Sequence, residues 1–110
     1  MGAWDTSPWG NDAAADWFGD LFESTGLRDV VERTLREDTA ENHEEIRAAA
    51  SVLLFLGRIH VWPIRHLDSD LRLAVEKLEE VSRLDLYADP AFRAEIAREI
   101  SGLRGRLEAG

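Results

Sequence analysis

The sequence contains no cysteine, which excludes disulfide bonds, thiolate metal sites and cysteine nucleophiles. It also contains no long hydrophobic run. The longest, AAASVLLFL over residues 48–56, is far too short to span a bilayer. No basic segment precedes an apolar stretch near the start, so we expect no secretory signal, no membrane partner and a cytoplasmic location.

Basic residues are scarce: 13 Lys and Arg stand against 22 Asp and Glu, which gives a net charge of −9. Such a chain repels phosphate backbones, and this argues against a nucleic-acid partner. The excess of acidic over basic residues is unevenly distributed along the chain. Residues 1–55 carry four arginines against twelve acidic residues, or −8, whereas residues 56–110 carry nine basic against ten acidic residues, or −1.

Motifs for covalent chemistry are missing as well. The serines occur in no nucleophile-elbow pattern, and no glycine-rich phosphate loop is present. The sequence therefore favours a protein that is not an enzyme and that needs no cofactor.

What is present is a helical pattern over most of the chain. At 110 residues with 45% hydrophobic side chains, we expect a single domain over residues 1–110. Apolar residues recur at helical spacing, and no strand pattern or repeat is found. The prediction is an all-α fold, a compact bundle of about five helices near residues 12–24, 27–38, 42–59, 69–85 and 90–107.

Local signals set these boundaries. Asn11 or Asp12 is a good N-cap for the first helix, whose predicted apolar face includes Trp17. Asn42 and Glu45 have capping-box spacing, Asp68 or Ser69 is the expected cap of the fourth helix, and Asp89-Pro90 begins the fifth. The third helix is apolar on nearly all sides and should be central.

The N-terminal tail is rich in tryptophan. Trp4 and Trp9 lie in residues 1–11, an irregular segment that precedes the bundle, residues 12–110. Ordering such a tail costs about 1–2 kcal/mol per residue, so both indoles must be well buried if the tail is ordered. We interpret the segment as an ordered lid that plugs the end of the bundle. The alternative is an exposed aromatic cage for a ligand.

One short stretch at the start contains Met1, Gly2, Ala3, Trp4, Thr6, Asn11, Asp12, Ala14, Asp16 and Trp17. This pattern resembles the start of an uncharacterised bacterial domain-of-unknown-function family, whose members begin MGAWGTG, continue to a Phe and Asn-Asp, and end in Ala-x-Asp-Trp. Asp5 and Ser7 stand where the family has glycines, and Trp9 stands where it has Phe. The alanine-rich stretch before Val52 is also similar, with Ser51 in place of a glutamate. The resemblance implies no activity.

Asp12, Asp16 and Asp20 recur at every fourth position and form one stripe on the first helix, where they repel one another. Three interpretations stay open. The stripe is solvated or paired with an arginine of the last helix, it binds a basic protein partner, or it holds a divalent metal. The arginines considered are Arg93, Arg98, Arg104 and Arg106.

A second cluster comprises His60, His66, Asp68 and Asp70. These residues carry donor atoms for a metal ion but lack the spacing of a known metal motif. In the simpler interpretation, Asp68 caps a helix and the histidines lie near a helix C-terminus. The third histidine, His43, is expected to be an exposed first-turn residue.

The function that the sequence favours is a non-enzymatic, acidic protein-interaction module, in the manner of an immunity or inhibitor protein, that binds a basic partner. Candidate interaction residues are Trp4, Trp9, Asp12, Asp16, Asp20 and Trp62. The alternative is a metal-dependent hydrolase built on the aspartate stripe or the His/Asp cluster. A third possibility is self-association through an apolar helix face.

Overall fold

The structure is a computed structural model that describes residues 5–109. Five α-helices and one 3-10 turn account for most of this range, which contains no strand, and the predicted all-α class is confirmed. The elements are α1 (Asp12–Thr25), α2 (Leu27–Leu35), α3 (Thr39–Leu56), α4 (Ile64–Ser82), the 3-10 turn (Asp85–Tyr87) and α5 (Pro90–Ala109).

Local capping explains where α1 and α3 begin. The Asn11 side chain accepts a hydrogen bond from the Ala14 amide at 2.8 Å, as predicted for the first helix. The predicted start of the third helix at Asn42 is wrong by three residues, because Asp38 caps the helix through the Glu41 amide at 3.0 Å. Asn42 instead marks a kink, with φ −124° and ψ 29° inside α3.

The fourth helix begins earlier than predicted, at Ile64 rather than near residue 69. Pro63 holds the N-cap position, and the helix continues straight through Asp68 and Ser69, so neither of these residues is a cap. Asp68 is paired on the helix surface with Arg72 at 3.6 Å. Proline is well suited to the start of a helix, because the backbone N–H groups of the first turn have no acceptor within the helix and the N–H that proline lacks is therefore not needed.

The second and third helices end earlier than predicted, at Leu35 and Leu56. Gly57 follows α3, and its amide donates to the Leu53 carbonyl at 2.8 Å. A Cβ atom at Gly57 would lie 2.4 Å from that carbonyl oxygen. Only glycine therefore allows the chain to turn so closely against the end of α3.

Helix α3 is the centre of the domain, as predicted, and contacts α2, α4 and α5. Its inner side chains Ile46, Ala50 and Leu53 are fully buried. The inward face of the fourth helix comprises Leu71, Val75, Leu78 and Val81, all of them buried. These side chains form one continuous apolar core with Ile96 and Leu103 of α5.

Helix α1 packs mainly beside α2 and buries only one of its side chains, Phe22. Trp17, which the pattern placed on the inner face, is 61% exposed and stacks edge-on against Phe18 at 5.2 Å between ring centroids. The prediction for Trp17 is wrong, because a helix held by one neighbour leaves most of its circumference in water.

Residues 5–10 form a tight turn ahead of α1. The Asp5 carboxylate accepts hydrogen bonds from the Ser7 amide at 2.7 Å and from the Ser7 hydroxyl at 2.5 Å. Trp9 is half-buried against the edge of the core. Trp4 lies outside the described residues, so the proposed tryptophan lid stays a prediction.

Candidate functional site

A groove of about 670 Å³, here named the α1 groove, lies between α1 and the segment that joins α3 to α4. Ala15, Gly19 and Glu23 of α1 form one wall. The opposite wall is the connection between α3 and α4, residues 57–63, with the first turn of α4. Arg28 and Asp29 of α2 close one end.

The floor of the groove is aromatic. Phe22 and Trp62 meet edge-on, with ring centroids 5.0 Å apart. Trp62 is only 2% exposed, and its indole N–H donates to Asp70 at 2.9 Å. Trp62 therefore supports the groove from below and presents no free surface of its own, unlike the exposed contact expected of an interaction residue.

Beneath this floor lies a buried ion pair. Asp70 is 2% exposed, and Arg28 donates to both of its carboxylate oxygens at 2.8 Å through two guanidinium nitrogens. The pKa of Arg28 is held above its ordinary value, chiefly by these hydrogen bonds and also by the nearby charges of Asp70 and Glu32. Bidentate pairing fixes the orientation of both side chains as well as their charge. The pair ties α2 to α4.

The α3–α4 connection carries the unusual backbone of this region. His60 has φ 73°, in the left-handed region that non-glycine residues rarely adopt. On this wall of the groove, Ile59 and Ile64 are 39% and 66% exposed. An apolar rim of this kind favours contact with another apolar surface.

The acidic stripe lies along the outer edge of the groove. Asp12, Asp16 and Asp20 are all exposed, and none of them forms an ion pair within residues 5–109. At 3.6 residues per turn, the stripe falls between the groove-lining face of α1 and Trp17. We name Asp12, Asp16, Trp17 and Asp20 together the acidic Trp17 surface.

The arginines of α5 do not neutralise the stripe, so the predicted internal pairing is wrong. Arg98 pairs with Glu95 on its own helix, and Arg104 pairs with Glu79 at 2.6 Å. Each of the other two donates to a backbone carbonyl, Arg93 to that of Tyr87 and Arg106 to that of Leu54. Helix α5 packs against α3 and α4, away from α1. The stripe is left to solvent or to a partner.

The His/Asp cluster does not come together as a metal site. Asp70 is occupied by Arg28 and Trp62, Asp68 pairs with Arg72, and both histidines line the α1 groove. Across the part of the chain that the structure describes, no three His, Asp or Glu side chains are grouped so that they could hold a metal ion.

A separate polar cluster was missed by the sequence analysis. His43 is half-buried rather than exposed, and its Nδ1 lies 2.7 Å from the Tyr87 hydroxyl. Tyr87 also meets Phe92 edge-on at 5.3 Å. Nearby, Arg47 lies over the Phe92 ring and forms a two-point ion pair with Glu99 at 3.0 and 2.7 Å. These contacts join α3 to the start of α5 and are structural.

Burial raises the pKa of the Tyr87 phenol above its ordinary value of 10.0. The unfolded chain therefore loses this proton first, so the contribution of Tyr87 to stability is complete below about pH 10 and is lost as the pH rises further. Tyr87 is the only tyrosine, and the chain contains one lysine, so few other groups titrate there.

We therefore expect the ultraviolet absorbance of the phenolate to appear at higher pH in the native protein than in urea. Replacing Tyr87 by phenylalanine should cost about 1 kcal/mol at neutral pH, through loss of the hydrogen bond to His43. This difference from the wild type should shrink above pH 10. A phenolate that titrates identically in both states would contradict the burial of Tyr87.

The fold and these surfaces define the class of protein: a small all-α domain with an open groove and an acidic helix beside it. Residues 2–103 match the family model of a domain of unknown function, DUF4259, and the chain belongs to this family. The predicted membership of a domain-of-unknown-function family is thus confirmed. No curated protein and no solved structure matches the chain. Within residues 5–109, no helix is both long and apolar enough to cross a membrane.

Proposed function

We propose that this protein is a non-enzymatic interaction module that binds a basic, amphipathic segment of another protein. The segment would place apolar side chains in the α1 groove and its lysines and arginines along the acidic Trp17 surface. The observation that carries this proposal is the exposed indole of Trp17, 61% accessible, beside carboxylates that have no counter-charge within the described residues.

Tryptophan is the residue type most enriched among those that dominate binding energy at protein interfaces. Beside it, Asp20 lies one turn away along α1 and Asp16 is adjacent in sequence. A cation held over the indole face would thus also reach a carboxylate, and both attractions favour arginine or lysine. The exposed apolar rim of Ile59 and Ile64 supplies the complementary apolar contact across the groove.

Charge supports the same choice of partner. The half of the chain that contains α1 carries −8 of the net −9. A concentrated negative electrostatic potential accelerates association with a basic protein and disfavours association with acidic proteins. An immunity-type or inhibitor role, in which the acidic surface neutralises a basic partner, is the form of this function that the charge favours.

The test uses a designed amphipathic helical peptide, with leucines on one face and lysine and arginine on the other, titrated by calorimetry. A peptide with the same leucines and glutamates in place of the basic residues is its control. We expect the basic peptide to bind, more weakly as salt is raised, and the acidic peptide not to bind.

Variants locate the binding. Trp17→Ala should weaken affinity about 30-fold, as loss of a dominant interface residue does. Its matched control is Phe55→Ala on α3, because Phe55 is 72% exposed and lies outside the groove.

The double variant Asp16→Asn with Asp20→Asn should weaken binding of the basic peptide about five- to tenfold. Glu41→Gln with Glu45→Gln removes the same charge at the same spacing on α3 and should have little effect. If the double variant on α3 weakened binding as much as the double variant on α1, the proposal would be contradicted.

A further inference from the structure

A second cavity, of about 550 Å³, lies on the other side of the α3–α4 connection. It forms where the C-terminal ends of α3 and α5 meet the turn of residues 5–10. Trp9, Arg58 and Arg106 line it, and we name it the arginine pocket. It shares only Ile59 and His60 with the α1 groove, so its chemistry is independent of the proposed function.

Arg58 is held in an unusual way. Its guanidinium carbon lies 3.9 Å from the centroid of the Trp9 ring, so one face of the cation is covered by the indole. Its Nε–H is fully buried and has no hydrogen-bond partner. It is the only buried side-chain nitrogen or oxygen in the described part of the chain that is unsatisfied. Buried donors are nearly always paired, because an unmade hydrogen bond is costly.

A second arginine faces the same space. Arg106 is anchored by a hydrogen bond from one terminal nitrogen to the Leu54 carbonyl at 2.6 Å. Burial and, next, the nearby positive charge of Arg106 lower the pKa of Arg58. Neither arginine forms an ion pair within residues 5–109.

Within residues 5–109, Asp5 is the one carboxylate that lines the pocket, and it does not pair with the arginines. The Oδ1 atom of Asp5 accepts two hydrogen bonds from Ser7, and Asp5 forms no ion pair with either arginine. Among the residues that the structure describes, neither guanidinium group of the pocket has a carboxylate partner, and the Arg58 Nε–H has no acceptor.

We propose that the arginine pocket binds a small oxyanion, either a phosphoryl or a carboxylate group. In this proposal the Arg58 guanidinium, held against the Trp9 ring, donates its Nε–H to one anion oxygen. The free donors of Arg106 contact another oxygen. Planar arginine donors suit both of these anions, because each anion accepts two parallel hydrogen bonds.

The test follows the Nε–H resonance of Arg58 in nitrogen–proton correlation spectra, assigned by its loss in Arg58→Lys. Inorganic phosphate and acetate are titrated separately against sodium chloride at constant ionic strength. We expect a saturable shift with phosphate, with acetate or with both, as the N–H gains an acceptor. The effective anion identifies the ligand chemistry. Shifts that are equal in chloride, or that never saturate, would overturn the proposal.

Variants give the second measure. Arg106→Gln should weaken anion affinity about 10- to 100-fold, as removal of a charged hydrogen-bond donor does. Arg65→Gln is the matched control, since Arg65 is exposed, lies outside the pocket and forms no ion pair with any described residue. If Arg106→Gln loses helical circular dichroism, Arg106→Lys replaces it, with a smaller loss expected. Equal affinities in the Arg106 and Arg65 variants would contradict the proposal.

Discussion

Replacing Asp70 by alanine is expected to lower the free energy of unfolding by about 3–5 kcal/mol, the usual cost of removing one partner from a buried ion pair. Arg28 would keep its charge with only 13% of its side chain exposed, and the Trp62 indole N–H would lose its acceptor. Chemical denaturation followed by circular dichroism measures the loss.

The control is Asp68→Ala, two residues away on α4. The Asp68 side chain is 71% exposed and paired only with exposed Arg72, so we expect a change below about 1 kcal/mol. In a second control, adding Arg28→Met to Asp70→Ala should restore part of the stability, because the unpaired charge is gone. If Asp70→Ala costs no more than Asp68→Ala, the buried pair does not hold α2 to α4.

Replacing Trp62 by alanine should also cost about 3–5 kcal/mol, since it leaves a large cavity in the core and removes one of the three hydrogen-bond donors to Asp70. Trp62→Phe separates the two causes. It keeps most of the ring that packs on Phe22 but removes the indole donor, and should cost about 1–3 kcal/mol.

Phe55→Ala is the matched truncation of an aromatic residue at an exposed site and should change stability by about 0.5 kcal/mol or less. A Trp62→Ala variant as stable as Phe55→Ala would show that Trp62 is not the floor of the groove. The indole would then be available for binding, as the sequence interpretation held.

Features that depend on neighbouring residues could be predicted from the sequence. Asn11 and the pair Asp89-Pro90 mark the starts of α1 and α5, because capping acts within one helical turn. The same kind of signal gave a wrong prediction at Asp68 and Ser69, which are residue types that often cap helices but lie inside α4. Several residues within a few positions can cap a helix, and packing selects among them.

Contacts between distant segments could not be predicted. Arg28 and Asp70 are 42 residues apart, and His43 and Tyr87 are 44 apart. Nothing local indicates that either pair meets. The exposure of Trp17 was missed for the same reason, since a helical apolar pattern does not say how many neighbours cover the helix. The unsatisfied N–H of Arg58 has no sequence signal at all, because it depends on where Trp9 and α5 pack.

The two proposed sites thus differ in how far they can be predicted from the sequence. The aspartate stripe of α1 is visible from its spacing alone, and the structure adds the groove beside it and the exposed Trp17. The arginine pocket exists only in the folded protein.

The central claim is that α1 and its groove form the partner-binding surface, and mapping bound peptide by backbone amide spectra tests it most directly. Gly19→Leu supplies the decisive variant, because a Cβ atom at Gly19 meets nothing within 4 Å and the side chain would fill the groove without disturbing the fold. Gly105→Leu, on α5 and equally unobstructed, is its control. We predict that the basic peptide changes the amide chemical shifts of α1 and residues 59–66 alone. These changes should be lost in Gly19→Leu and kept in Gly105→Leu. Shifts spread over every acidic helix, and unchanged by Gly19→Leu, would contradict the account.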